Sequence, residues 1–174
     1  MSFKIYENLA WLNELPPSDA RDAFLAYCGS TSWADEMAEA RPFPMVEKLF
    51  ETAEKTWFAL SPADWLEAYA AHPKIGSKKR AASQGTKAAE WSAGEQSGTQ
   101  QAADTTMQEL AELNRLYEEK FGFIFIVCAT GKTAEEMLAI CRARLANSME
   151  TELRLAAIEQ NKITEIRLGK LLEK

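Results

Sequence analysis

Apolar residues recur at intervals of three and four along most of the chain, a spacing that puts them on one face of an α-helix. The clearest example carries Val46, Leu49, Phe50, Ala53 and Trp57, which we predict to form the buried stripe of a single helix. The strict alternation of apolar and polar residues that marks a half-buried strand is scarce. The pattern therefore predicts an all-α fold, built as a multi-helix bundle.

Capping residues and prolines give the expected helix starts. Ser18 and Ser32 each precede an apolar-periodic run, and Pro44 suits the first turn of the next helix. Ser61 begins a further helix. Thr133 opens a capping box, in which a threonine and a glutamate three residues later bond each other's backbone amides.

Glycine and proline give the expected helix ends. Gly29 and Gly122 follow helical runs and favour the left-handed conformation that terminates a helix. Pro73 disfavours helical dihedrals in His72, so we expect the preceding helix to end there. The final helix is expected to carry an apolar stripe made of Met149, Leu153, Ala156, Ile163 and Ile166.

Two stretches depart from the helical pattern. Residues 123–127 have strand propensity, but no other run offers them a partner, so we expect a buried extended segment near 123–128. Residues 74–100 contain four of the eight glycines and many polar residues, which favours a loop region able to carry a site. Neither stretch requires a boundary, and we expect one domain over residues 1–174.

Composition narrows the class of protein. A net charge of -6 argues against a nucleic-acid partner, because phosphate binding requires a surplus of Lys and Arg. The longest apolar run is too short to span a membrane and the N-terminus lacks a signal-peptide pattern, so we expect no membrane association and a cytoplasmic location. The three cysteines lack the spacing of a disulfide framework or a zinc site and are expected to be reduced core thiols.

His72 is the only histidine, so any imidazole chemistry near neutral pH must use it. It lies at a predicted helix end, where the exposed carbonyl dipoles favour a protonated ring and Lys74 opposes protonation. The alternative is a partly exposed histidine that ends a helix and has no chemical role.

Residues 92–98 set the carboxylate of Glu95 and the amide of Gln96 side by side among glycines, which allow a ligand to approach the backbone closely. The alternative is structural, because Ser92 and Glu95 also have the spacing of a capping box. Both interpretations hold if the start of that helix also binds an anion.

Two further candidates lie toward the C-terminus. Residues 121–132 end in a polar stretch that can present backbone groups to a ligand, with ordinary core as the alternative. Residues 131–133 (Gly-Lys-Thr) are similar to the end of a phosphate-binding loop, but Ile126 stands where that motif requires glycine, which excludes nucleotide binding. Arg167 lies among apolar residues, where an arginine usually reaches solvent or pairs on the surface.

Three groups of residues recur together in a known family: His72-Pro73-Lys74-Ile75-Gly76, Ser92-x-x-Glu95-Gln96-x-Gly98 and Phe121-Gly122-Phe123-x-Phe125. Three shorter groups extend the likeness almost end to end: Tyr6-Glu7-Asn8, Arg41-Pro42-Phe43 and Lys162-Ile163-x-x-x-Arg167-Leu168. In order and spacing they resemble the 2-oxo-4-hydroxy-4-carboxy-5-ureidoimidazoline (OHCU) decarboxylase family. Position 124 departs from the pattern, with isoleucine where many members have proline. Residues 130–132, where the chain leaves this stretch, are a second departure, at positions that vary in the family.

The resemblance implies an all-helical homodimer that decarboxylates OHCU to (S)-allantoin in urate degradation, without a metal or organic cofactor. It also implies a functional link to hydroxyisourate hydrolase. The family's catalytic histidine and glutamate fall on His72 and Glu95. Its substrate-contacting positions fall on Pro73, Ser92, Gln96, the backbone of Val127, Cys128 and Ala129, and Arg167.

Two other functions remain open on the residues alone. A non-catalytic helical interaction module predicts no ligand pocket around His72. A hydrolase of a neighbouring purine-degradation intermediate, such as hydroxyisourate, would use the same histidine and glutamate without releasing carbon dioxide. A metal-dependent enzyme is disfavoured, because one histidine and no paired cysteines leave only carboxylates as ligands.

Overall fold

The computed structural model describes residues 3–74 and 104–173, and within these two ranges the chain forms eight α-helices and no β-strand. The predicted all-α fold is confirmed. In chain order the helices are α1 (Phe3–Glu14), α2 (Pro17–Cys28), α3 (Thr31–Glu39), α4 (Val46–Ala59), α5 (Pro62–Ala70), α6 (Asp104–Phe121), α7 (Ala134–Arg144) and α8 (Met149–Glu173). None of the described helices is long and apolar enough to cross a membrane.

The chain divides into two compact units. The first unit comprises Met1–Ala68 with Asn161–Lys174, and the second unit comprises Tyr69–Gln160. In the first unit α3 packs against both α2 and α4, and α1 contacts α4. Trp33 is fully buried in this unit, and its indole N–H donates to the carbonyl of Ala53 over 3.0 Å, so the polar edge of the ring is satisfied inside the core.

The core of the second unit is aromatic. The ring of Tyr117 on α6 lies 4.6 Å from that of Phe121, 5.7 Å from Phe123 and 5.4 Å from Phe125, measured between centroids. Tyr69, at the end of α5, packs on Phe123 at 5.4 Å. Tilted and edge-on pairs at these distances contribute about 0.5–1.5 kcal/mol each beyond their buried area. This cluster holds the stretch that follows α6 against the helices.

That stretch is the predicted buried segment. Residues 124–129 belong to neither a helix nor a strand, and Phe123 and residues 125–129 are buried. The predicted burial of a non-helical segment near 123–128 is therefore confirmed. The side chains face into the core of the second unit, while side chains from α7 and α8 satisfy part of its backbone, as described below.

Several predicted helix boundaries are confirmed. Gly29 has φ 86° and its N–H donates to the carbonyl of Leu25, and Gly122 has φ 73°. Both are the left-handed caps expected of glycine. Thr133 forms the full capping box: its hydroxyl accepts from the N–H of Glu136, whose carboxylate accepts from the N–H of Thr133. These local signals were sufficient because each acts within one helical turn.

The predicted start near Ser32 is confirmed, because α3 begins at Thr31; its cap is Ser30, whose hydroxyl accepts from the N–H of Trp33. Two other predicted starts were displaced. Helix α2 begins at Pro17, so Ser18 lies inside the first turn instead of capping it. Pro44 precedes the first turn of α4, which begins at Val46.

The three cysteines, Cys28, Cys128 and Cys141, are buried and form no disulfide, as expected for core thiols. Burial raises the pKa of the Cys28 thiol to about 12 and that of the Cys141 thiol to about 11. Neither group is a thiolate near neutral pH, so neither has the reactive form of a catalytic cysteine.

Candidate active site

Some of the predicted site residues lie among the described residues and others lie outside them. His72, Pro73, Val127, Cys128 and Ala129 belong to the second unit, and Arg167 belongs to the first unit. Ser92, Glu95 and Gln96 lie outside the described residues. The geometry of the second unit therefore shows one side of the predicted site.

His72 follows α5, and its backbone N–H donates to the carbonyl of Tyr69 over 3.2 Å. Its ring is half-buried, as is the side chain of Pro73. The ring Nε2 lies 2.6 Å from the Oε1 of Gln160 on α8. Residue 72 is therefore held both at its backbone and at its ring, and its role in chemistry stays a prediction.

Gln160 was not predicted as a site residue, although the sequence carries a signal for it. The expected apolar stripe of α8 runs through Leu153, Ala156 and Ile163, and Gln160 stands at the stripe position between the last two. Its side chain is fully buried. A buried amide is costly unless it is hydrogen-bonded, so a glutamine at a core position indicates a specific polar partner.

The backbone of Cys128 is bound on both sides by side chains. Its N–H donates to Oε2 of Glu159 over 2.8 Å, and its carbonyl accepts from Nζ of Lys132 over 2.7 Å. Residues 127–129 are buried, each with 6% exposure, so what they can offer a ligand is their backbone. A ligand that uses the Cys128 N–H must share it with Glu159 or displace that carboxylate.

A buried charged cluster lies beneath this segment. The guanidinium of Arg144 and the carboxylate of Glu152 form a buried ion pair at 2.8 Å, and Arg144 also donates to the carbonyl of Ile126 over 2.8 Å. The hydroxyl of Tyr117 donates to Glu152 over 2.5 Å. Burial and this bond to a carboxylate hold the pKa of Tyr117 well above its usual range, so the phenol stays a donor. The cluster fixes the backbone of residue 126, two positions before Cys128.

Arg167 is buried, with 4% exposure, and its Nη1 donates to the carbonyl of Tyr27 at the end of α2 over 3.0 Å. The alternative, an arginine that reaches solvent or pairs on the surface, is wrong, and the predicted contact of Arg167 with the substrate stays a prediction. The first unit can hold a buried guanidinium there because the last carbonyls of a helix have no partner within the helix.

Two other groups from the resemblance have structural roles in the first unit. Arg41 donates to the carbonyls of Leu12 and Leu15, at 2.8 Å each, where α1 ends. Asn8 on α1 donates to the carbonyl of Leu172 on α8 over 3.0 Å. These hydrogen bonds connect α1 to α8 and to the segment after α3, which gives both side chains a structural role.

In the described ranges no group of three or more metal-ligating side chains is close enough to hold an ion. The second unit presents an imidazole hydrogen-bonded to an amide. It also presents a buried backbone segment whose Cys128 contacts a carboxylate and an ammonium group. Such groups can orient a small polar anion and exchange protons with it.

The family profile described as OHCU decarboxylase matches residues 13–169. The chain belongs to this family. Its resemblance to OHCU decarboxylases in the sequence is therefore confirmed over nearly its whole length.

Relatives and a solved structure agree with this family. The chain is 43% identical to the uric acid degradation bifunctional protein TTL of Arabidopsis thaliana over 86% of its own length, and 28% identical to the OHCU decarboxylase of Haloferax volcanii over 92%. It spans 94% of the Haloferax protein but less than half of the bifunctional relatives, 46% of the Arabidopsis protein and 32% of that of Bacillus subtilis. A crystal structure of OHCU decarboxylase in the presence of (S)-allantoin is 39% identical, with a TM-score of 0.76 over 88% of this chain and 99% of that chain.

Proposed function

We propose that this protein decarboxylates OHCU to (S)-allantoin without a metal or organic cofactor. The observation that carries the proposal is the family match over residues 13–169, together with the likeness to a structure solved in the presence of (S)-allantoin. The half-buried His72 ring, fixed by Gln160, supports it by supplying an oriented proton acceptor.

The chemistry of the substrate suits these residue types. Its carboxylate leaves a ring carbon that also bears a hydroxyl group and stands next to a carbon–nitrogen double bond. The electron pair released as carbon dioxide departs flows into that bond, so the substrate serves as its own electron sink. The protein has to orient the carboxylate, accept the hydroxyl proton and return one proton to one face of the neighbouring carbon.

His72 and Glu95 are the proposed catalytic residues. His72 hydrogen-bonds the carboxylate or the adjacent hydroxyl and accepts the hydroxyl proton. Glu95 holds the ring or ureido N–H groups and assists the return of a proton, which sets the stereochemistry.

Other residues position the substrate in this proposal. They are Pro73, Ser92, Gln96, Arg167 and the backbone of Val127, Cys128 and Ala129. The buried non-helical segment and the contact between Cys128 and Glu159 support the backbone part of the assignment, because they put an N–H and a carboxylate in one place.

The test generates fresh substrate from urate and follows chiral allantoin by circular dichroism, with and without the protein, while released carbon dioxide is trapped. The proposal predicts faster formation of (S)-allantoin with one carbon dioxide per product. Faster consumption of hydroxyisourate with no extra carbon dioxide would indicate a hydrolase. No acceleration of either step would favour a non-catalytic module.

We also propose one domain over residues 1–174 that assembles as a homodimer. The family match across both units supports one domain, and α8 contributes residues to each unit. Half-exposed aromatic side chains in the first unit, Tyr6, Trp11 and Phe58, offer apolar surface for a second copy. Sedimentation equilibrium tests the dimer, and a monomer at micromolar concentration would contradict it.

We also propose a functional link to hydroxyisourate hydrolase, which is supported by relatives named as bifunctional proteins of uric acid degradation. In this proposal the hydrolase delivers the unstable substrate directly. A lag in (S)-allantoin formation that shortens when both proteins are mixed would support the link. The cytoplasmic location stays a prediction.

A further inference from the structure

Gln160 is a fully buried polar side chain whose Oε1 lies 2.6 Å from Nε2 of His72. An amide oxygen has no proton to give, so at this contact it accepts and the ring nitrogen donates. A neutral imidazole has one N–H and one nitrogen lone pair, so this contact indicates which ring nitrogen carries the proton.

The position of the ring is fixed by a second contact along the same helix. The hydroxyl of Tyr69 donates to the carbonyl of Leu153 over 3.0 Å, and the N–H of His72 donates to the carbonyl of Tyr69. Leu153 and Gln160 are seven residues apart on α8, about two helical turns, and so lie on one face. The end of α5 is thus attached to α8 at two points, one of which is the imidazole itself.

We propose that Gln160 is a positioning residue that holds neutral His72 as the Nε2–H tautomer. This inference rests on the proposed function, in which His72 accepts the hydroxyl proton of the substrate. When the Nε2–H donates a hydrogen bond to Gln160, the lone pair that receives the substrate proton is on Nδ1. Gln160 also accepts from the ring after protonation, so the same contact serves both states of the cycle.

Four charged side chains on neighbouring described elements already have partners. Lys74 forms an ion pair with Glu118 on α6 at 2.5 Å. Glu159 accepts from the Cys128 N–H, and Lys132 donates to the Cys128 carbonyl. A substitution at position 160 does not change these four side chains. A change in the titration of the ring can therefore be attributed to the contact with residue 160.

His72 is the only histidine of the chain, so the imidazole signals of the full-length protein, made without a histidine tag, belong to one residue. Nitrogen-15 NMR of this ring reads the tautomer directly. Above the titration midpoint of the ring, the proposal predicts a proton on Nε2 and an unprotonated Nδ1. A proton on Nδ1 would overturn it, because the amide would then be the donor.

Two variants test the contact. Gln160→Met keeps the length of the side chain and removes the acceptor, so we expect the tautomer preference to weaken and kcat to fall about 10- to 100-fold with little change in KM. Gln160→Glu keeps an acceptor and adds a negative charge, which favours the imidazolium. We expect the titration midpoint of the ring and the acid limb of the pH profile of kcat/KM to move upward together.

Gln108→Glu is the matched control, because Gln108 is exposed on α6 and the substitution adds the same negative charge away from His72. It should leave the tautomer, the midpoint and the pH profile unchanged. If Gln160→Met does not fold, Gln160→Glu decides alone: an unshifted midpoint in that variant would overturn the proposal. The NMR readout does not require activity. An inactive wild-type protein with Nε2–H would count against the proposed reaction, and an active one with Nδ1–H would count against Gln160 alone.

Discussion

Two glutamates on α8 lie seven residues apart and face the same way, yet their surroundings differ. Glu152 is fully buried and bonded to Tyr117, Arg144 and Asn147. Glu159 is half-buried and accepts from a backbone N–H of the non-helical segment. Residue type and helix face alone therefore do not separate a structural carboxylate from one beside a site.

Accessibility makes the difference. The side chains around Glu152 are buried and hydrogen-bond one another, so they are not accessible to a ligand. Their role is to hold the backbone at residue 126. Glu159 and Gln160, in the middle of α8, bond the Cys128 N–H and the ring of His72, and both Glu159 and His72 are only half-buried. We assign stability to the first region and chemistry to the second, and the following changes test that division.

The largest expected effect is at His72. His72→Asn keeps a polar side chain of similar size and removes the group that accepts a proton near neutral pH. General acid–base groups contribute about 10²–10⁴ in rate, so we expect kcat to fall by at least about 100-fold. Thermal unfolding should stay close to wild type. A variant that folds normally and turns over at nearly the wild-type rate would remove His72 from the chemistry.

The next effect is on stability. Glu152→Gln removes one charge of the buried pair and leaves Arg144 without a counter-charge, which costs about 3–5 kcal/mol in comparable cases. Urea unfolding measures the change. Glu109→Gln is the matched control in the same unit, because Glu109 pairs with Arg142 on the surface and such pairs contribute about 1 kcal/mol or less. Equal losses in the two variants would contradict a structural role specific to the buried cluster.

A smaller effect on activity is expected at Glu159. Glu159→Leu removes the acceptor for the Cys128 N–H, and hydrogen bonds to charged groups contribute about 1.5–3 kcal/mol. We expect kcat/KM to fall about tenfold, with a smaller loss for Glu159→Gln, which keeps a neutral acceptor. Glu150→Gln, exposed in the first turn of α8, should have no effect. An increase in kcat/KM would instead mean that Glu159 competes with the substrate.

The smallest effect is at an exposed cluster in the first unit. Asp64 accepts from the hydroxyls of Ser32 and Ser61, and these bonds lower its pKa. A carboxyl group whose pKa is lower in the folded state stabilises the fold at pH values above its unfolded-state pKa. This stabilisation is lost as the pH falls through the folded-state pKa. Asp64→Asn should therefore reduce the free energy of unfolding at pH 7 by about 1 kcal/mol at most. The difference from wild type should shrink below about pH 4, and a difference independent of pH would contradict it.

The sequence was informative wherever a rule acts over one turn. The left-handed glycines at positions 29 and 122 and the capping box at Thr133 depend on neighbouring residues only. The start of α3 was correctly expected near Ser32, but the sequence did not show that Ser30 is the cap, because both serines satisfy the local rule. The hydroxyl of Ser32 bonds Asp64, a residue far along the chain, and that contact is invisible in a window of one turn.

The site shows the same limit. His72 was found because it is the only histidine, and the family likeness supplied its role. Gln160 and Glu159 were missed, because their partners are 88 and 31 residues away. The assignment of Arg167 to the substrate came from the family likeness, and nothing near it in sequence indicates that the carbonyl of Tyr27 accepts from it inside the first unit.

The most direct test of the account is a crystal structure of this protein with (S)-allantoin bound. We predict that one molecule of product contacts both the imidazole of His72 and the carboxylate of Glu95, with the ring of His72 still bonded to Gln160. A product bound elsewhere, or His72 and Glu95 too far apart to touch the same heterocycle, would contradict the proposed mechanism.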